Sequence, residues 1–127
     1  MNLFADMAQA VWKRCEDNPV IAPDSGDLGG NINGPTVIQV PEWIENPLGR
    51  YYMYFAHHHG DSIRLAYADS PEGPWEVHAE RPLRLDQLAP VGYRGHVASP
   101  DILVDSERRR VLMFFHGPYP EWDLANT

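Results

Sequence analysis

The chain carries six histidines, and three of them are consecutive: His57-His58-His59. Imidazole is a common metal ligand, so the run invites a metal reading. On a strand, however, neighbouring side chains point to opposite faces, and three in a row cannot all reach one ion. No metal site and no cofactor are therefore expected. A fourth histidine, His96, stands five residues before Asp101. It reads either as a ligand contact or as a structural hydrogen-bonding group. Asp101 also has two readings. At the start of a strand an aspartate often accepts backbone N–H bonds in a turn, and a carboxylate is equally a candidate for acid–base work. Arg108-Arg109-Arg110 reads as a solvated charge run in a turn. Cys15 is the only cysteine, which excludes an intrachain disulfide and favours a reducing compartment.

The elements that must hold these residues repeat. Gly34-Pro35-Thr36-Val37-Ile38-Gln39-Val40 is followed by Arg50-Tyr51-Tyr52-Met53-Tyr54-Phe55. Ser99-Pro100-Asp101-Ile102-Leu103-Val104-Asp105 is followed by Arg110-Val111-Leu112-Met113-Phe114-Phe115. The prolines are 65 residues apart (100 − 35) and the methionines 60 (113 − 53), the difference being a longer turn, Pro41 to Gly49, in the first copy. Strands are predicted at 36–40, 51–57, 63–68 and 75–78, joined by short connectors into an antiparallel meander. The first, Thr36 to Val40, is apolar on both sides and reads as a buried inner strand. Two more strands are predicted at 101–105 and 111–116, with a long loop from Asp86 to Ala98 before them. A repeat of this length with four short strands per unit is the pattern of a β-propeller blade.

The expected fold is therefore all-β: one complete four-stranded antiparallel blade and half of a second. Residues 1–35 form a lead-in and loop, 36–78 blade one, 79–98 an inter-blade loop, 99–117 half of blade two, and 118–127 a truncated tail. The lead-in is expected to be a short helix or irregular, because Leu3, Met7, Ala10, Val11 and Arg14 follow helical spacing. Asn18 to Pro23 is expected to be extended, since each proline disfavours helix in the residue before it. The formal net charge of −8 argues against a nucleic-acid or anionic-membrane partner. No convincing signal peptide or membrane span is present, so a cytoplasmic location is expected. The unpaired edge at Val111–His116 is expected to promote self-association.

Asn33-Gly34-Pro35-Thr36-Val37-Ile38 together with Arg50 to His58 resembles the first blade of the five-bladed β-propeller glycoside hydrolases of the family 43-like type. The hairpin Ala68-Asp69-Ser70-Pro71-Glu72-Gly73-Pro74-Trp75 fits their A-x-S-x-x-G-P-W pattern, and Ser99-Pro100-Asp101-Ile102 is similar to their second-blade opening. The lead-in Asn18-Pro19-Val20-Ile21 also recurs in sugar-active propellers. The likeness covers residues 17–117. It implies a carbohydrate substrate and an inverting reaction with two carboxyl groups, one activating water and one protonating the leaving oxygen. A third carboxylate would tune the acid by like-charge repulsion.

In that family the base precedes the first-blade proline, the tuning aspartate follows the second-blade proline, and the acid comes from the third blade. Asp101 matches the second position and is the implied catalytic residue. Gly34 occupies the first and has no carboxylate, while its neighbour Asn33 cannot act as a base and is implied only as a substrate contact. Asp24 or Asp27 in the preceding loop, or Glu42, is a substitute base to test. The likeness implies that His57 or His58 lies at the inner rim against sugar hydroxyls, with His96 bordering the site and His59 in solvent. Trp43, Trp75 and Tyr93 read as either sugar-stacking or core residues, with Trp75 a packing residue. The chain alone is expected to be inactive. The alternatives are a non-catalytic sugar-binding propeller or a partial propeller completed by another chain.

Overall fold

The computed structural model describes residues 9–11, 13–24 and 28–118. The fold is all-β, with two antiparallel sheets. The first contains β1 (Asn33–Gln39), β2 (Tyr51–Ala56), β3 (Ser62–Ala68) and β4 (Glu76–Val77) in that spatial order, with β5 (Leu83–Arg84) also pairing with β3. The second is the hairpin of β6 (Ala98–Asp105) and β7 (Arg110–His116). Between the sheets lie one helical turn, α1 (Leu85–Leu88), and a 3-10 turn at Ala89–Val91.

The period of two along β2 builds the core. Met53 and Phe55 point to one face and join Leu28 and Ala66, under Val20, Ile21, Ile32, Trp75 and Val77. Tyr54 and Ala56 point to the other face and join Ile63, Val97, Ala98, Met113 and Phe115. This second cluster seats the second sheet on the first. Phe55 is 1% exposed, and burying a side chain of that size contributes roughly 1.5–3 kcal/mol. The A-x-S-x-x-G-P-W turn between β3 and β4 has a local explanation. Gly73 takes φ +99, and a Cβ there would lie 2.9 Å from the Trp75 nitrogen. The Gly73 N–H donates to Ser70 O at 3.0 Å. The Trp75 indole folds back and donates to Pro71 O at 3.2 Å.

The repeat survives in three dimensions, down to its irregularity. In the first sheet Asn33 faces Ala56, a bulge follows, and Thr36, Val37, Ile38 and Gln39 face Tyr54, Met53, Tyr52 and Tyr51. In the second Ala98 faces His116, a bulge follows, and Asp101, Ile102, Leu103 and Val104 face Phe114, Met113, Leu112 and Val111. Each bulge holds a left-handed residue before its proline: Gly34 at φ 53 and Ser99 at φ 49. Bulges of this kind bend a strand and increase its twist. The register also identifies equivalent faces. Thr36, Ile38, Tyr52, Tyr54 and Ala56 form the first-sheet face that receives the second sheet. Their counterparts are Asp101, Leu103, Leu112, Phe114 and His116. There Leu103 and Phe114 are 53% and 57% exposed.

Several sequence expectations need correction. The long loop 79–98 is not structureless: β5, α1 and the 3-10 turn occupy its middle. Leu83, Leu85 and Leu88 draw it onto the inter-sheet core, and Gln87 Oε1 accepts the Arg84 N–H at 2.8 Å to start the helical turn. Strand 36–40 is not buried on both faces, since Val37 is 47% exposed. No described element covers the side of β1 on which it lies. Strands begin earlier than expected at 33 and 98 because the bulges allow pairing to resume beyond the prolines. The second strand ends at Ala56, one residue short, where the chain turns through His57–Gly60. Of the helix expected over 3–14, residues 3–8 and 12 lie outside the described residues, and 9–11, 13 and 14 are not helical. Residues 19–24 run through bends and a turn, with Val20 and Ile21 packed on the core, and so are not an extended segment.

Candidate functional site

The two strand starts meet at their bulges. A Cβ added to Gly34 would lie 2.7 Å from Ser99 Cα and 3.1 Å from Ser99 Oγ. The backbones of the two repeats thus touch at equivalent positions, and only glycine fits on the first-sheet side. The absence of a carboxylate at position 34 is therefore required by this packing. Asn33, half-buried, lies at the same junction, opposite Ala56 across the sheet. Asp101 follows the second bulge and is exposed. Its register puts it beside Phe114, on the face of the second sheet turned away from the first. No hydrogen bond or ion pair ties Asp101 to Asn33 or to a histidine among the described residues.

Four of the histidines gather at the same end of the sheets. His58 and His59 have ring centroids 4.6 Å apart. His96 lies 6.2 Å from His58 and 5.6 Å from His59. His116 stands 5.6 Å from His96. Backbone contacts account for the assembly. The Gly60 N–H donates to His57 O at 2.9 Å, closing the turn between β2 and β3, and the His58 N–H donates to Asn31 Oδ1 at 3.1 Å. The Val97 N–H then donates to Gly60 O at 3.0 Å, which pins the segment carrying His96 to that turn. Pairing of Ala98 with His116 brings in the last ring. Burial pushes the His96 imidazole below its ordinary value of 6.5, and charges on His116, His59 and His58 push it further down.

Of the predicted site residues, the fold brings His58 and His96 together. His57 stands apart from the ring cluster: its Nδ1 accepts the His59 N–H at 3.0 Å, and its ring packs at Gly29, holding the turn. His59 and His116 were not expected to contribute. His59 is exposed, as expected, and its ring also meets those of His58 and His96. His116 has a sequence signal, since it ends the repeat strand equivalent to β2, immediately before Gly117. Trp43 is half-buried, with its indole N–H buried and unpartnered. Tyr93 packs on Phe115 with centroids 5.6 Å apart. It also lines a cavity of about 360 Å³ with Arg84, Leu85, Asp86 and Arg94. The cations of that cavity are engaged: Arg84 binds Asp86, and Arg94 donates to Ala89 O and Tyr93 O at 2.8 and 2.7 Å. Glu42 lies at the other end of β1, lining a cavity of about 400 Å³ with Ile38, Ile102 and Val104. Asp24 is exposed, and Asp27 lies outside the described residues. The arginine turn is exposed, as expected, and Arg108 and Arg110 both bind Asp105, at 3.2 and 2.9 Å. No described helix is long and apolar enough to cross a membrane.

No protein-family model matches the chain, and no solved structure matches it. The chain is similar to the uncharacterized protein R118 of Acanthamoeba polyphaga mimivirus, at 39% identity over 143 aligned positions. The alignment takes in 98% of this chain and 40% of the viral protein, so the chain spans about two fifths of the curated relative it matches.

Proposed function

We propose that this chain is the opening part of a five-bladed β-propeller glycoside hydrolase of the family 43-like type. The complete protein would cleave glycosidic bonds by an inverting two-carboxylate mechanism. The observation that carries the reading is the duplicated hairpin. The same register, bulge and left-handed residue recur, the second sheet is seated on the first, and the two strand starts touch at Gly34 and Ser99. Successive blades around an axis have this relation: first strands lie side by side and equivalent positions share one radius. Further support comes from the exposed Leu103 and Phe114, on the face equivalent to the one the second sheet covers. The share of the longer viral relative that this chain spans is in keeping with a multi-blade protein.

In this reading Asp101 is the carboxylate that tunes the acid of a following blade, and sugar hydroxyls meet His58 and His96. The base cannot stand at position 34, where a side chain would collide with Ser99. That collision favours a second reading, a sugar-binding propeller without hydrolysis. The two are separated with the chain extended to the length of its viral relative. Hydrolysis of glycoside and polysaccharide substrates, lost in Asp101→Asn without loss of folding, supports the enzyme. Saturable glycan binding with no product supports the binding module, and neither property in a folded protein rejects both. The 127-residue chain itself is expected to release no sugar in the same assays. Robust release from it would mean that a base and an acid exist within the chain, with Asp24, Asp27 and Glu42 the first to replace.

A further inference from the structure

We infer that the histidines gathered around His96 are an acid-sensitive latch: as they take up protons, the β6–β7 hairpin loosens from the first sheet. His96 is the hub of the group. Its ring lies 5.6 Å from that of His59, 5.6 Å from that of His116 and 6.2 Å from that of His58. These neighbours come from the β2–β3 turn and from the end of β7, so the contacts straddle the boundary between the sheets. His96 is half-buried, and the two residues after it, Val97 and Ala98, are fully buried in the core that seats one sheet on the other. The Val97 N–H ties this segment to the turn through Gly60 O at 3.0 Å. A charge on His96 therefore arises one residue from the bond that joins the two sheets at this end.

Neutral imidazoles tolerate this spacing, but imidazolium rings repel one another, and a half-buried one also loses hydration. The charges that bear on His96 are those of His58, His59 and His116, all of one sign, and no carboxylate is among them. The other ionisable groups of the surrounding elements are engaged elsewhere. In the turn, His57 Nδ1 accepts the His59 N–H, and Asp61, just beyond, pairs with Arg81 at 3.1 Å. In the segment before β6, Arg94 donates to Ala89 O and Tyr93 O. On β6, Asp101 stands beside Phe114 on the face turned away from the first sheet. On β7, Arg110 is at the opposite end, bound to Asp105. His96 takes a proton less readily in the folded chain than at its ordinary value of 6.5. The docked state is therefore fully stable above that value and loses stability as pH falls through the lowered one. The latch does not depend on the chain acting on sugars.

The test is amide hydrogen exchange on the 127-residue chain at about pH 7.5 and about pH 5, corrected for the intrinsic effect of pH on exchange, with the histidines titrated by NMR. Protection of the Val97 amide should fall about tenfold, the equivalent of one pKa unit. Protection of Met53, inside the first sheet, should change much less. His96→Gln should remove most of the difference at Val97. His59→Gln with His116→Gln replaces two exposed rings and gives a version that does not threaten folding. In that double variant the His96 titration midpoint should rise towards 6.5 and the fall at Val97 should shrink. His78→Gln, beside Tyr67, should retain the fall. Equal protection of Val97 at both pH values overturns the inference. So does an equal fall at Met53, which would mean general acid unfolding. A fall that survives undiminished in the double variant, or that vanishes in His78→Gln, overturns it as well.

Discussion

At the residue scale, Gly34 carries the most information. Two separate costs attach to a side chain there. A left-handed residue with a Cβ costs about 1–2 kcal/mol, and the approach to Ser99 Cα adds an overpacking cost of about 1–3 kcal/mol. Gly30 isolates the first cost, because it has φ +73 with nothing within 4 Å of an added Cβ. Gly34→Ala should therefore destabilise the chain by about 1–3 kcal/mol more than Gly30→Ala does in urea denaturation. Equal costs would mean that the two repeats do not touch at this point in solution. Asp105 supports a prediction with pH. The Arg108 N–H and the side chains of Arg110 and Arg108 hold its carboxyl below the ordinary value of 3.8. The folded state thus binds this proton less readily than the unfolded chain. The stabilisation is complete above 3.8 and is lost as pH falls through the lowered value. Asp105→Asn should lower the melting temperature at pH 7, and the deficit relative to the parent should shrink when both are measured near pH 3. A deficit that stays constant would assign the effect to packing.

At the scale of elements, the strands and their order were legible because their signals are local. Alternation in Ile63 to Ala68 and the glycine–proline turn at Gly73-Pro74 depend on nothing distant. The repeat itself was legible from Pro35 and Pro100 with Met53 and Met113. Three things were not. The segment with Leu83, Leu85 and Leu88 has no periodicity long enough to mark a strand or helix, and only the core it meets organises it. The exposure of Val37 depends on which face another sheet covers, which its own strand does not encode. The histidine cluster is a property of three segments joined by the Val97–Gly60 bond, which no local signal encodes. Burial at the element scale also predicts cost. Phe55 sits 1% exposed in the first-sheet core, and Phe55→Ala should cost about 3–5 kcal/mol by chemical denaturation.

At the scale of the whole molecule, one face has two fates. Leu103 and Phe114, 53% and 57% exposed, lie where the first sheet carries Ile38 and Tyr54 to receive its neighbour. In the 127-residue chain an apolar face beside an unpaired β7 edge favours pairing with other copies. In a longer protein of the proposed architecture the same face would be covered by the next repeat. The two situations predict opposite signs for one substitution. Leu103→Lys with Phe114→Lys in this chain should shift the species seen by analytical ultracentrifugation towards monomer and leave the urea midpoint nearly unchanged. Lysine at the two positions of the mimivirus protein that align with Leu103 and Phe114 should instead destabilise it by several kcal/mol, because each substitution would bury an unpaired charge. If the longer protein tolerates both lysines, no further repeat packs on this face, and the propeller architecture fails independently of any enzyme assay.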